Sequence, residues 1–111
     1  LEDHDLVVVH VESPDEEGHA GDVAGKIAAI EAIDREMVSA VRERLGDIRV
    51  LAMPDHPTPV ELKTHVGEPV PFVLAGPGVA LNAGTEFVET AAAATGLVVD
   101  PGHGVMDLLL G

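Results

Sequence analysis

The chain has 111 residues, enough for one domain with a modest core, and 46% of them are apolar, as in globular rather than disordered sequences. It carries 20 acidic residues against 6 Lys and Arg, a net charge of -14, and Phe72 and Phe87 are its only Phe, Tyr or Trp; this excludes the basic stripe and stacking platforms that nucleic acid requires. No cysteine is present, so disulfides and thiolate metal sites are excluded and any metal must rest on oxygen and imidazole; no apolar run approaches the ~20 residues of a membrane span.

Solubility or a salt-adapted source accounts for the acidity. Carboxylates gathered at one place would also hold divalent cations. The chain opens on Leu1 with no signal-peptide pattern, and the absence of an initial methionine leads us to expect a fragment.

Residues 5–11 contain Leu6-Val7-Val8-Val9, whose continuous apolarity predicts a strand covered on both faces, as in a parallel sheet. Ser13-Pro14-Asp15-Glu16 then reads as a helix start, with Ser13 as N-cap, Pro14 at N1 and Glu16 closing a capping box. One turn of helix would put Asp15 and His19 at i and i+4, with Cβ atoms roughly 6 Å apart on one face. That separation suits two ligands of one ion; it equally suits an acid at a helix N-terminus and a surface histidine. Gly18 and Gly21 would let the backbone bend there.

Residues 22–45 carry apolar side chains at three- and four-residue spacing: Val23, Ile27, Ile30, Ile33 or Asp34, Met37, Val41 and Leu45. Asp22 caps this predicted helix and Gly46 suits its C′ position, while Lys26 and Glu31 are expected in solvent. Residues 48–53 and 70–75 read as two further strands, with Pro71 opening the latter. A helix is expected over 85–95, capped by Thr85 and closed by Gly96. Gly102 to Gly104 reads as a turn and 105–110 as a last helical turn. Strands alternating with helices predict an α/β fold with a mostly parallel sheet and flanking helices. Three strands are few for such a sheet, which again points to part of a larger domain.

The stretch between the second and third strands holds Pro54, Pro57, Pro59, Pro69 and Pro71, which fix φ and remove backbone donors. It presents Asp55 and His56 side by side, and His65 nine residues on. A loop leaving a strand is where α/β proteins keep their chemistry. Carboxylate and imidazole bind divalent transition metals, so Asp55 and His56 could serve one metal or two neighbouring ones.

Taken together, Asp15-x-x-x-His19, then Asp55-His56, then His65 resembles the ligand pattern of the alkaline phosphatase superfamily of binuclear metalloenzymes. The surrounding residues narrow the likeness. Ser13 to Asp22, Lys26 with 29–34, Asp55-His56-Pro57-Thr58-Pro59, Thr64-His65 and Pro69 to Phe72 are similar to the C-terminal part of cofactor-independent phosphoglycerate mutases of the archaeal type. Residues 87–89 and 104–109 fit that branch as well.

The resemblance implies an alkaline-phosphatase-like core, with residues 1–111 as the C-terminal part of its binuclear-metal domain. It implies two divalent ions, manganese first, with zinc, cobalt or magnesium as alternatives. Asp15, His19 and His65 would hold one ion, and Asp55 and His56 would contribute to the other. The implied reaction moves a phosphoryl group from 3-phosphoglycerate to a serine and back to the other hydroxyl, in a cytoplasmic glycolytic enzyme acting on phosphoglycerate, away from nucleic acid and membranes. The family's nucleophilic serine, its first metal-binding aspartate and its substrate-holding insert cannot be placed in this chain, so the chain alone is expected to be inactive.

Two other readings compete. Another enzyme of the superfamily, a phosphopentomutase or phosphatase-like protein, would differ in substrate residues not placed here. A catalytically silent acidic α/β module would bind a partner or only fold; metal binding that is lost on mutation of Asp55 or His65 would discriminate against it. His4, His10 and His103 are expected at the surface or beside the site rather than as ligands.

Overall fold

The computed structural model describes residues 3–44 and 46–111. Two compact units emerge: the described residues of 1–46 with Pro57–Gly67, and Asp47–His56 with Glu68–Gly111.

In the first unit, residues 5–11 do not form the expected strand, and Leu6, Val7, Val8 and Val9 are 43%, 55%, 81% and 65% exposed. A strand exists only by pairing, and among the described residues no neighbouring strand takes up this segment's backbone groups. Helix α1 (Ser13–Ala20) follows. Its expected capping box is absent, because Glu12 already has helical dihedrals (φ -87, ψ -21) and takes the N-cap position. Its carbonyl accepts from the amides of Asp15 and Glu16 at 2.8 and 3.1 Å. Ser13 is thereby moved into the first turn, and no side chain caps the helix start.

Gly21, at φ 76, ends α1 in the left-handed region that a side chain disfavours. The Gly21 amide donates to the Gly18 carbonyl at 3.1 Å and the Asp22 amide to that of Glu17 at 3.0 Å, a paired closure of the Schellman type. Asp22 then starts α2 (Val23–Ala32), its Oδ1 accepting from the Gly25 amide at 2.9 Å as expected. Helix α2 packs on α1 and runs through a π-helical turn (Ile33–Val38) into α3 (Ser39–Arg44). The Ser39 amide reaches the Asp34 carbonyl five residues back, and the Ser39 hydroxyl donates to the same oxygen at 3.2 Å. The apolar spacing of the sequence slips at Ile33 or Asp34, where the π turn inserts its extra residue. The expected helix position Leu45 lies outside the described residues.

The second unit contains the sheet. Strand β1 (Val50–Ala52) pairs with β2 (Val73–Ala75), Leu51 opposite Leu74. The pairing is antiparallel, not the parallel arrangement expected. Parallel neighbours need a crossover that returns the chain to its starting edge. The segment between β1 and β2 has only a turn at its centre, where the Leu62 and Lys63 amides donate to the Pro59 carbonyl. Arg49, just before β1, ties this unit together: its Nε donates to the Pro77 carbonyl at 2.8 Å and its Nη1 to that of Leu109 at 3.2 Å.

Helix α4 (Glu89–Ala94) starts three residues later than expected, because Val88 is extended (φ -139, ψ 157) and takes the cap position in place of Thr85. Gly96 at φ 71 follows its end, as expected. A 3-10 turn (Gly102–Gly104) leads into α5 (Val105–Leu110), which buries Val105.

Candidate metal centre

Two local devices of the first unit build a cluster of ligand-type atoms. The first is α1, which places Asp15 and His19 one turn apart on the same face. The second is the loop 57–66, closed by a hydrogen bond from the Val66 amide to the Pro57 carbonyl at 3.1 Å. This closure returns His65 to the helix. His19 Nε2 lies 3.0 Å from His65 Nε2 and 3.4 Å from Asp15 Oδ2, and His65 Nε2 lies 3.3 Å from Asp15 Oδ1. With metal–ligand bonds of about 2.1 Å, neighbouring ligand atoms stand about 3.0 Å apart at octahedral angles and about 3.4 Å at tetrahedral ones. The imidazole pair falls within that range, as does each histidine with one of the two Asp15 oxygens, and with one ligand atom taken from each residue the three lie within 4.8 Å of one another, a spacing that small rotations would bring onto one ion. The side chains are 35% (Asp15), 43% (His19) and 52% (His65) exposed, which leaves the face open to an incoming ion.

The protonation pattern of His19 follows from its other contact. His19 Nδ1 lies 3.0 Å from the Lys63 carbonyl, which can only accept. In the neutral ring the proton is therefore on Nδ1, and Nε2 presents a lone pair to the cluster. His65 Nε2–H is then the donor between the two rings. An imidazole whose far nitrogen donates to a backbone carbonyl is the usual arrangement at a metal. Lys63 aims that carbonyl from φ 55, the one left-handed non-glycine residue among those described. Such a conformation costs about 1–3 kcal/mol and persists where surrounding contacts require it.

Asp15 is also held by the loop, at the oxygen that faces His65. Thr58, buried at 3% exposure, donates its hydroxyl to Asp15 Oδ1 at 2.5 Å, and Lys26 Nζ donates to the Thr58 carbonyl at 2.6 Å. Lys26 thus joins the site's support rather than standing in solvent as the sequence reading expects. Neither Thr58 nor Lys63 stands out in the sequence; the only signal for Thr58 is its place in Asp55-His56-Pro57-Thr58-Pro59.

Asp55 and His56 belong to the second unit and form a pair of their own. Asp55 Oδ1 accepts from the His56 amide at 3.0 Å, and Oδ2 lies 3.5 Å from His56 Nε2. Among the described residues, Asp15, His19 and His65 make up the one group of three or more potential ligands, their atoms within 4.8 Å of one another.

Comparisons with known proteins place the chain in a family. The profile of the metalloenzyme superfamily matches residues 1–103. The chain is 46% identical to a probable 2,3-bisphosphoglycerate-independent phosphoglycerate mutase of Geobacter sulfurreducens, covering 99% of this chain and 29% of the relative. It is 43% identical to the second such mutase of Methanothermobacter thermautotrophicus, over 99% of this chain and 28% of that protein. Among solved structures, the PH0037 protein of Pyrococcus horikoshii superposes with a TM-score of 0.91 at 32% identity, over 98% of this chain and 33% of that one. The chain thus spans less than a third of the length of these relatives. With nearly its whole length matched by the profile and its fold reproduced by a solved structure, the chain belongs to the metalloenzyme superfamily.

Proposed function

We propose that the chain is the metal-holding C-terminal part of a 2,3-bisphosphoglycerate-independent phosphoglycerate mutase, which interconverts 3-phosphoglycerate and 2-phosphoglycerate through a phosphoserine. The observation that carries this reading is the convergence of Asp15, His19 and His65, 46 residues separating the two histidines, in a chain so similar to proteins of that name. Asp15, His19 and His65 hold one divalent ion, and Asp55 and His56 supply two ligands of a second. Manganese suits a shell that mixes carboxylate and imidazole. Bound ions of this kind make a serine hydroxyl a better nucleophile and stabilise charge on a transferring phosphoryl group.

The chain's own residues have separable tasks. Asp15 supplies negative charge, His19 in its neutral form offers Nε2 because its proton is on Nδ1, and His65 must carry its proton on Nδ1 when its Nε2 serves as a ligand. In the whole protein, residues 5–11 form a strand of a mostly parallel sheet; the exposure of Val7, Val8 and Val9 leaves apolar surface that such a sheet would cover. The substrate is a small phosphorylated acid met in the cytoplasm, with neither nucleic acid nor membrane as partner. No helix of the described residues is long and apolar enough to cross a membrane.

A coupled assay of 3-phosphoglycerate turnover with manganese tests the proposal. The full-length protein is expected to turn over, its His65→Ala variant to fall to background, and these 111 residues alone to show no turnover. Undiminished activity in the His65→Ala protein would remove the proposed site from the mechanism.

A further inference from the structure

We propose that Thr58 is a positioning residue of this centre, its hydroxyl fixing the rotation of the Asp15 carboxylate so that the carboxylate faces both histidines. The inference rests on the reading of Asp15, His19 and His65 as ligands of one ion. A carboxylate turns easily about its last bond, and a misdirected one would present its oxygens away from the imidazoles. In this structure Oδ1 accepts from Thr58 Oγ1 at 2.5 Å, while Oδ2 stays 3.4 Å from His19 Nε2. A hydroxyl that donates to an ionised carboxylate makes a charge-assisted bond, stronger than one between neutral groups.

Thr58 is itself held in three ways. Its carbonyl accepts from Lys26 Nζ at 2.6 Å, and its neighbours Pro57 and Pro59 restrict the backbone on both sides. The third restraint is α1: a Cβ built on Gly18 would stand 2.6 Å from the Thr58 carbonyl oxygen and 3.0 Å from its Cγ2, so helix and loop meet at a glycine. The hydroxyl that fixes Asp15 therefore comes from a buried, anchored residue rather than from a mobile surface side chain. Groups that orient a ligand in this way typically change metal affinity about 10–100-fold when removed.

The test is calorimetric titration of the full-length protein with manganese chloride, comparing the parent with Thr58→Val, Thr58→Ser, Thr58→Ala and His65→Ala. Valine keeps the shape and loses the hydroxyl; serine keeps the hydroxyl. We expect Thr58→Val to weaken binding about 10–100-fold and Thr58→Ser to stay within about threefold of the parent. Parent-like affinity in Thr58→Val, with binding lost in His65→Ala, would overturn the role of Thr58 and leave the site standing. Parent-like affinity in His65→Ala would instead overturn the site itself. Equal weakening by valine and serine would assign the effect to packing, against the proposal. Circular dichroism establishes that each variant is folded; if the valine variant is not, the serine and alanine variants decide, and equal affinity between those two overturns the proposal.

Discussion

Replacing Gly18 by alanine probes the join between α1 and the loop, and its outcome can be worked from the structure. In the middle of a helix, alanine is favoured over glycine by about 1 kcal/mol, so propensity alone predicts stabilisation. Packing opposes it. The new methyl carbon would stand 2.6 Å from the Thr58 carbonyl oxygen and 3.1 Å from its Cβ, against an ordinary contact of 3.4 Å or more. Something must move by roughly 0.8 Å, and the nearest atom is backbone, flanked by prolines and bonded to Lys26. Overpacking of this kind costs about 1–3 kcal/mol, and loosening the Thr58–Asp15 bond adds about 1.5–3 kcal/mol, since its acceptor is charged. The clash outweighs the propensity, and the expected net loss is about 1.5–5 kcal/mol, with weaker manganese binding because Thr58 is displaced. Urea unfolding and manganese titration of Gly18→Ala measure both effects. Gly67→Ala is the control, since a Cβ there meets nothing within 4 Å; it should be neutral or slightly stabilising. A Gly18→Ala protein more stable than its parent, with unchanged affinity, would refute the reasoning.

Lys63→Gly should keep manganese affinity, because glycine adopts φ 55 freely, whereas Lys63→Pro should turn the carbonyl away from His19 and lower affinity about 10-fold or more; calorimetry separates the two. Arg49→Ala should destabilise the second unit by about 1–2 kcal/mol in urea unfolding, and Arg49→Lys should not restore it, since a point charge cannot bond both the Pro77 and Leu109 carbonyls as the guanidinium does. Protons compete with metal for imidazole nitrogen, so manganese affinity should fall on acidification; equal affinity on both sides of the ordinary imidazole titration range would argue that histidines are not ligands.

The features legible in the sequence are those whose causes are local. Asp22 caps α2 through a bond to an amide three residues on, and Gly21 and Gly96 take left-handed conformations that few other residues accept. Asp15 and His19 meet because a helix of this length puts i and i+4 together. The slip at Ile33 or Asp34 was visible as ambiguous spacing, although spacing alone does not distinguish a π turn from a change of exposed face. Residue types alone suggest a capping box at Ser13, whereas the backbone of Glu12 decides where the helix begins.

Features requiring a distant partner were less legible. The apolar run Leu6 to Val9 looks like a buried strand, but apolarity states a need for cover without naming what supplies it. The direction of β2 depends on the return path of the chain, which runs through a proline-bound turn and not through a crossover helix. Thr58 and Lys63 are invisible for a further reason: their contributions are a buried hydroxyl and a carbonyl, and any sequence offers many of both. Such groups become specific only through position, at 2.5 Å from Asp15 Oδ1 and 3.0 Å from His19 Nδ1. Both belong to the loop that also carries His65, which the Val66–Pro57 hydrogen bond closes on itself. One closed loop therefore supplies a candidate ligand and the groups that orient the other two, and a change to its closure should be felt at all three side chains together.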